Sequence, residues 1–110
     1  MSGSAKLAAA TALRHIAAGH PAFAGHFPGR PVLPGAALLA EVLEAIQAVP
    51  ALAAALGAAP TLTAAKFLSP VTPGSELVIE LRLQTRRLTF DVLCCGVPVA
   101  QGHFAAEEAE

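Results

Sequence analysis

Gly25-His26-Phe27-Pro28-Gly29-Arg30-Pro31-Val32-Leu33-Pro34-Gly35 runs directly into Ala36-Ala37-Leu38-Leu39-Ala40-Glu41-Val42-Leu43-Glu44-Ala45-Ile46-Gln47-Ala48-Val49. The first block cannot be a regular element. Four prolines and three glycines stand between His20 and Gly35. Each proline fixes φ and removes an N–H donor, and each glycine frees the backbone. Phe23, Phe27, Val32 and Leu33 are nevertheless too bulky a set for a loose linker. A stiff, partly buried loop is expected, and loops on a rigid frame commonly carry sites. The second block has the helical repeat. Leu38, Leu39, Val42, Leu43, Ile46 and Val49 form a wide apolar face, with Glu41, Glu44 and Gln47 or Ala48 on the other side. Pro50 ends that helix or begins the next turn. Residues 51–59 continue as a short alanine-rich helix or loop, closed by Gly57 and Pro60.

The junction of the two blocks has chemical content of its own. His26 sits on a loop held by Pro28, Pro31 and Pro34, and that loop delivers the chain to a helix start at Gly35-Ala36. A helix start offers unpaired N–H groups and partial positive charge. Gly35 has no side chain to block an approaching carbonyl. A neutral histidine near such donors suits removal of a proton beside a thioester carbonyl, with the developing oxyanion held by the backbone N–H. The apolar helix behind would serve as one wall of an acyl-chain tunnel. On these residues alone the plainer alternative stays open: His26 packs as a loop histidine and the prolines and glycines only make turns.

Working outward, the first segment is ambiguous. Residues 5–17 favour helix by alanine content, but Ala12-Leu13-Arg14-His15-Ile16 alternates, and a strand near 11–17 is expected, with residues 1–10 frayed. The second half reads as strands. Thr61 to Leu68 is the first, and Pro70 with Thr72-Pro73-Gly74-Ser75 reverses the chain. Leu77, Ile79, Leu81 and Leu83 then alternate with Glu76, Val78, Glu80 and Arg82. Gln84-Thr85-Arg86-Arg87 is a hairpin connection, Leu88 to Cys95 the next strand, Gly96-Val97-Pro98 a turn, and Val99 to Ala105 the last strand. One central helix with an antiparallel meander gives α+β.

Composition narrows the function classes. A chain of 110 residues makes one domain, 1–110, with 106–110 an acidic tail. Apolar residues reach 55% against 14% charged, which points to an apolar face covered by another subunit. A net charge of −1 supplies no basic field for nucleic acid. The adjacent Cys94 and Cys95 point to opposite faces of a strand and are expected as free thiols, which suits a reducing cytoplasm. No signal peptide and no membrane span is expected, because Glu41, Glu44, Gln47 and Pro50 interrupt the most apolar stretch. His15, His20 and His103 have no metal-ligand spacing, so no metal is expected.

The run Gly25 to Gly35 closely resembles the signature of 3-hydroxyacyl-ACP dehydratases of bacterial fatty-acid synthesis, and the related dehydratase-like proteins of polyketide and aryl-polyene clusters. Ala64-Ala65-Lys66-Phe67-Leu68-Ser69-Pro70-Val71-Thr72-Pro73-Gly74 is similar to that family's strand and turn after the central helix. Val97-Pro98-Val99-Ala100-Gln101-Gly102 is similar to its last hairpin. The resemblance implies a hot-dog fold, a helix wrapped by a curved antiparallel sheet, with subunits paired edge to edge and active sites at the interface. It implies 3-hydroxyacyl thioesters as substrates, carried on the phosphopantetheine of acyl carrier protein or on CoA, and loss of water to a trans-2-enoyl thioester without cofactor. By position, His26 matches the catalytic base, Gly35 the residue whose N–H binds the thioester oxygen, and Val32 the residue whose carbonyl orients the histidine. Phe27 and Pro34 join them as substrate-binding candidates. Arg30, Lys66, Arg82, Arg86 and Arg87 are candidates for steering the acidic carrier.

The match breaks at one position. The family's second catalytic residue, an Asp or Glu, stands fourteen positions after the histidine, and here that position is Ala40. Glu41 is the candidate replacement, although one residue along a helix turns a side chain by about 100°. Glu44 is one turn beyond Ala40. Catalytic activity therefore stays open. The chain is expected as a homodimer or as a heterodimer with another hot-dog protein. Beside an active dehydratase stand a non-catalytic subunit of a hot-dog heterodimer, which Ala40 favours, and a hot-dog acyl thioesterase, which would use Glu41 or Glu44.

Overall fold

Alternation in the second half and helical spacing in the first bring the apolar residues to one shared face. The computed structural model describes residues 7–23 and 32–107. Strand β1 (Leu7–His15) leads through a 3₁₀ turn (Pro21–Phe23) towards helix α1 (Gly35–Gln47) and helix α2 (Pro50–Leu56). Strands β2 (Thr61–Phe67), β3 (Glu76–Gln84), β4 (Arg87–Cys94) and β5 (Val97–Ala105) follow. All pairings are antiparallel, in the order β1-β3-β4-β5-β2. The expected α+β class holds.

The core lies between the helices and one face of the sheet. Leu77, Ile79, Leu81 and Leu83 of β3, Leu88, Phe90 and Val92 of β4, and Phe104 of β5 are buried with Leu38, Val42, Ala45 and Ile46 of α1. Leu52 and Leu56 of α2 join the same cluster. Pro50 does begin a helix, at the position where its missing N–H removes nothing. Gly57 closes that helix at φ 82°, a conformation that glycine adopts without a Cβ penalty.

Three boundaries differ from the sequence expectation, each for a local reason. Strand β1 begins at Leu7, so the frayed N-terminus does not reach residue 10. Leu7 pairs with Gln84, and the half-buried Ala8, Ala10 and Ala12 pack on the core. The C-terminal stretch is fastened as far as Glu107. The Ala106 N–H donates to the Arg86 carbonyl at 2.8 Å, and the Glu107 N–H donates to the Leu56 carbonyl at 2.8 Å. The Glu107 carboxylate also accepts the Ala59 N–H at 3.0 Å. Of the expected acidic tail, only residues 108–110 lie outside the described residues. The β4–β5 turn is Cys95-Gly96, with φ 55° and 79°, the two positive angles of a tight hairpin, and β5 resumes at Val97. Pro98 fits in that strand because a register shift between Val92 and Leu93 lies opposite it.

Strand β2 differs from the others in being exposed at every residue and standing at the sheet edge. It pairs with β5 across a bulge between Leu62 and Ala64. Gly102 of β5 permits that pairing. A Cβ there would lie 2.3 Å from the Ala64 carbonyl oxygen and 2.7 Å from the Phe90 ring. Because one obstacle is backbone, Gly102→Ala must shift β2 itself. The expected loss is about 1–3 kcal/mol, read from the midpoint of urea unfolding. An unchanged midpoint would mean that the two strands are looser than this.

Candidate active site

The N-terminus of α1 opens into a cleft. Pro34 is the N-cap in extended conformation and offers no side-chain cap. Its carbonyl accepts the N–H groups of Ala37 at 3.0 Å and Leu38 at 3.1 Å. The N–H groups of Gly35 and Ala36 have no acceptor among the described residues. They head a helix end with partial positive charge. Around them, Val32, Leu33, Pro34, Leu38, Phe67 and Val71 line a mainly apolar cleft of about 470 Å³. The Leu33 N–H donates to the Val71 carbonyl at 2.7 Å, which ties the loop before α1 to the segment after β2. The arrangement can hold an acyl chain against apolar walls and give its carbonyl oxygen a backbone donor.

Val32, Pro34 and Gly35 all line this one cleft. His26 and Phe27 lie outside the described residues. Phe67 was not foreseen as part of the site. Its ring, half exposed at the end of β2, rests on Gly35, and a Cβ at Gly35 would fall 2.8 Å from its Cζ. Nothing in the linear spacing of Phe67 and Gly35 signals that contact.

Helix α1 separates the two residues that matter for acid chemistry. Ala40 lies on an exposed stripe with Ala36, Glu44 and Gln47. Glu41, one position on, turns away from that stripe. Its carboxylate stands 3.7 Å from Arg14 Nε and 3.7 Å from His20 Nε2. The helix runs unbroken from Gly35 to Gln47, so no bulge swings Glu41 round to Ala40's direction. The remaining described histidines are apart from this place: His15 contacts Glu76 at 2.5 Å, and His103 contacts Thr63 at 2.9 Å. Among the described residues, no group of three His, Cys, Asp or Glu gathers to hold a metal ion.

Comparison with known proteins assigns the family. The ApeI-like family, described as ApeI dehydratase, matches residues 4–103. The chain belongs to the ApeI-like dehydratase family. It is 34% identical over 107 residues to a 3-hydroxyacyl-[acyl-carrier-protein] dehydratase FabZ of Bartonella henselae, covering 88% of this chain and 69% of that protein. A FabZ of Pelotomaculum thermopropionicum is 34% identical over 84 residues, covering 73% of this chain and 60% of the relative. Two solved structures share the fold. An uncharacterized protein from Erwinia carotovora matches with TM-score 0.78 and 24% identity, over 92% of this chain and 84% of that one. The dehydratase heterocomplex ApeI:P from Xenorhabdus doucetiae matches with TM-score 0.73 and 24% identity, over 91% and 88%. The fold is the hot-dog fold, and the chain is a dehydratase-like hot-dog protein. Among the described residues no single helix is long and apolar enough to cross a membrane.

Proposed function

We propose that this ApeI-like chain is the base-bearing half of a two-subunit 3-hydroxyacyl-thioester dehydratase whose acid comes from a second hot-dog chain. One observation carries the reading. The cleft and its Gly35 donor are intact, while the residue fourteen positions after His26 is an exposed alanine, Ala40. The substrate is a 3-hydroxyacyl group on the phosphopantetheine of acyl carrier protein, or on CoA, in fatty-acid, polyketide or polyene synthesis in the cytoplasm. His26 takes the proton beside the thioester carbonyl, and negative charge gathers on the carbonyl oxygen at the Gly35 N–H. The electron pair then forms the 2,3 double bond as the 3-hydroxyl leaves with a proton from the partner's acid, as water. No cofactor enters this balance. Strand β2 supports the partner half of the proposal. It is an exposed edge with Leu62 and Phe67 uncovered, the kind of edge that a second chain completes. Arg82 is held by Asp91 at 3.0 Å and Arg86 by the Glu107 carbonyl at 2.8 Å, while Lys66 and Arg87 are exposed and suited to an acidic carrier.

The test is a coupled assay on pure protein with a 3-hydroxyacyl thioester and its enoyl counterpart, following enoyl formation and free thiol, with and without a carboxylate-bearing hot-dog chain. The expected result is slow dehydration alone, faster dehydration with the partner, and no free thiol. Release of thiol would replace the proposal with a thioesterase. Full activity alone that is abolished by Glu41→Gln would place the acid on Glu41. Gly35→Ala should leave folding within about 1 kcal/mol, because the obstacle is the movable end of Phe67. It should weaken binding of an acyl-pantetheine thioether about tenfold in calorimetry, by pushing Phe67 into the cleft. Unaltered affinity would remove the Gly35 end of α1 from the binding site.

A further inference from the structure

Among the described residues that line the cleft at the start of α1, one has a polar side chain, and the reaction proposed above leaves it unused. Val32, Leu33, Pro34, Leu38, Phe67 and Val71 supply carbon to the walls, and Ser69 supplies a hydroxyl. Ser69 belongs to the segment between β2 and β3, which is fastened on both sides of it. The Leu68 N–H donates to the Val99 carbonyl at 2.9 Å, and the Ser69 N–H donates to it more weakly at 3.4 Å. The Val71 carbonyl accepts the Leu33 N–H at 2.7 Å. The backbone thus holds Ser69 in place without using its side chain. Among the described residues the Ser69 hydroxyl has no protein hydrogen-bond partner, whereas Ser75 Oγ donates to the Thr72 carbonyl at 2.8 Å.

Burial gives the cleft a direction. Leu33, Leu38 and Val71 are buried, Gly35 is half-buried, and Leu68 and Pro70, on either side of the half-buried Ser69, are exposed. Ser69 therefore stands at the rim. A thioester whose carbonyl oxygen meets the Gly35 N–H lays its acyl chain on the buried carbon and sends its sulfur arm out past that rim. Two carbons beyond the sulfur, a pantetheine arm carries its first amide, on acyl carrier protein and on CoA alike. An amide taken from water to apolar walls is costly unless it finds a hydrogen-bond partner. A serine hydroxyl can donate to the amide carbonyl or accept from its N–H.

We propose that Ser69 is a substrate-binding residue whose hydroxyl hydrogen-bonds the pantetheine amide nearest the sulfur. The inference rests on the reading of the cleft as an acyl-thioester site, and adds to it a residue that recognises the arm rather than the acyl group.

Two probes test it by NMR titration of the full chain. One is a 2-oxoalkyl thioether of pantetheine, which keeps a carbonyl and resists hydrolysis. The other carries the same 2-oxoalkyl group on an ethyl thioether and has no amide. Ser69→Ala should weaken the pantetheine probe about three- to tenfold and leave the ethyl probe unchanged. Ser69→Thr, which keeps a hydroxyl, should recover most of the loss. The urea midpoint of Ser69→Ala should match wild type, because the hydroxyl gives up no partner inside the protein. A lowered midpoint would mean that the hydroxyl is spent within the fold and would overturn the proposal. Equal weakening of both probes, or no weakening of either, would overturn it while leaving the cleft an acyl site. If wild type binds neither probe, the proposed function falls and takes this inference with it.

Discussion

Ala40→Asp is expected to raise the dehydration rate of the isolated chain by about a hundredfold. Loss of the 3-hydroxyl as hydroxide is unfavourable, and a positioned general acid is worth about 10²–10⁴ in rate. The lower figure applies because an aspartate introduced at this point has no evolved hydrogen-bond partners to orient it. The position admits the change. Ala40 is exposed on the stripe shared with Ala36, Glu44 and Gln47, so the new carboxylate keeps its solvation. The helix should lose only about 0.5 kcal/mol from poorer propensity. Single-turnover dehydration of a 3-hydroxyacyl thioester reads the effect. Ala40→Asn supplies the same shape without a transferable proton and should stay near wild type. A folded Ala40→Asp variant with no gain, in a chain where His26→Ala also changes nothing, would end the dehydratase reading of the cleft.

Phe90→Ala is expected to remove about 3–5 kcal/mol of folding stability. Phe90 is fully buried, its ring lies 5.6 Å from that of Phe104, and it covers Gly102 on the neighbouring strand. Deleting it takes away apolar burial and leaves a hole beside a strand that has no side chain to fill it. Small domains are stable by about 5–15 kcal/mol in total, so the variant should sit close to unfolding at room temperature. Guanidinium unfolding followed by far-ultraviolet circular dichroism should give a lower midpoint with an unchanged slope. Phe90→Leu, which keeps most of the volume, should cost less than about 1.5 kcal/mol. A loss under about 1 kcal/mol for Phe90→Ala would mean the β4–β5–β2 corner is not part of the cooperative core.

The parts of the fold that could be read from the sequence are those governed by period. Leu77, Ile79, Leu81 and Leu83 fall on the buried face because side chains alternate in a strand, and Leu38, Val42 and Ile46 because they recur at helical spacing. The start of β1 was misplaced because Ala8, Ala10 and Ala12 carry too little apolar contrast to announce a strand. Their partner, β3, supplies the contrast from far along the chain. The cleft was readable at Pro34-Gly35, where helix-start chemistry is local. It was not readable at Phe67, which reaches Gly35 only through the sheet. Glu41 could be found as a carboxylate near the expected acid position. Its engagement with Arg14 and His20 depends on how β1 and the turn after it pack against α1, and no short-range pattern encodes that.

The strand order also governs when this chain can fold. Strands β3, β4 and β5 are joined by two-residue hairpins and can zip together as soon as they exist. Among the described residues β1 pairs with β3 alone, so Leu7 must wait for Gln84, which lies beyond both helices and β2 in the chain. Closing so long a loop before any contact rewards it slows the search. On the ribosome, β1 and the helices emerge before the strands they pack on, and the hydrophobic side of α1 stays uncovered until β3 and β4 follow. Docking of β1 on β3 is therefore a late event in folding, after the β3–β4–β5 meander has formed.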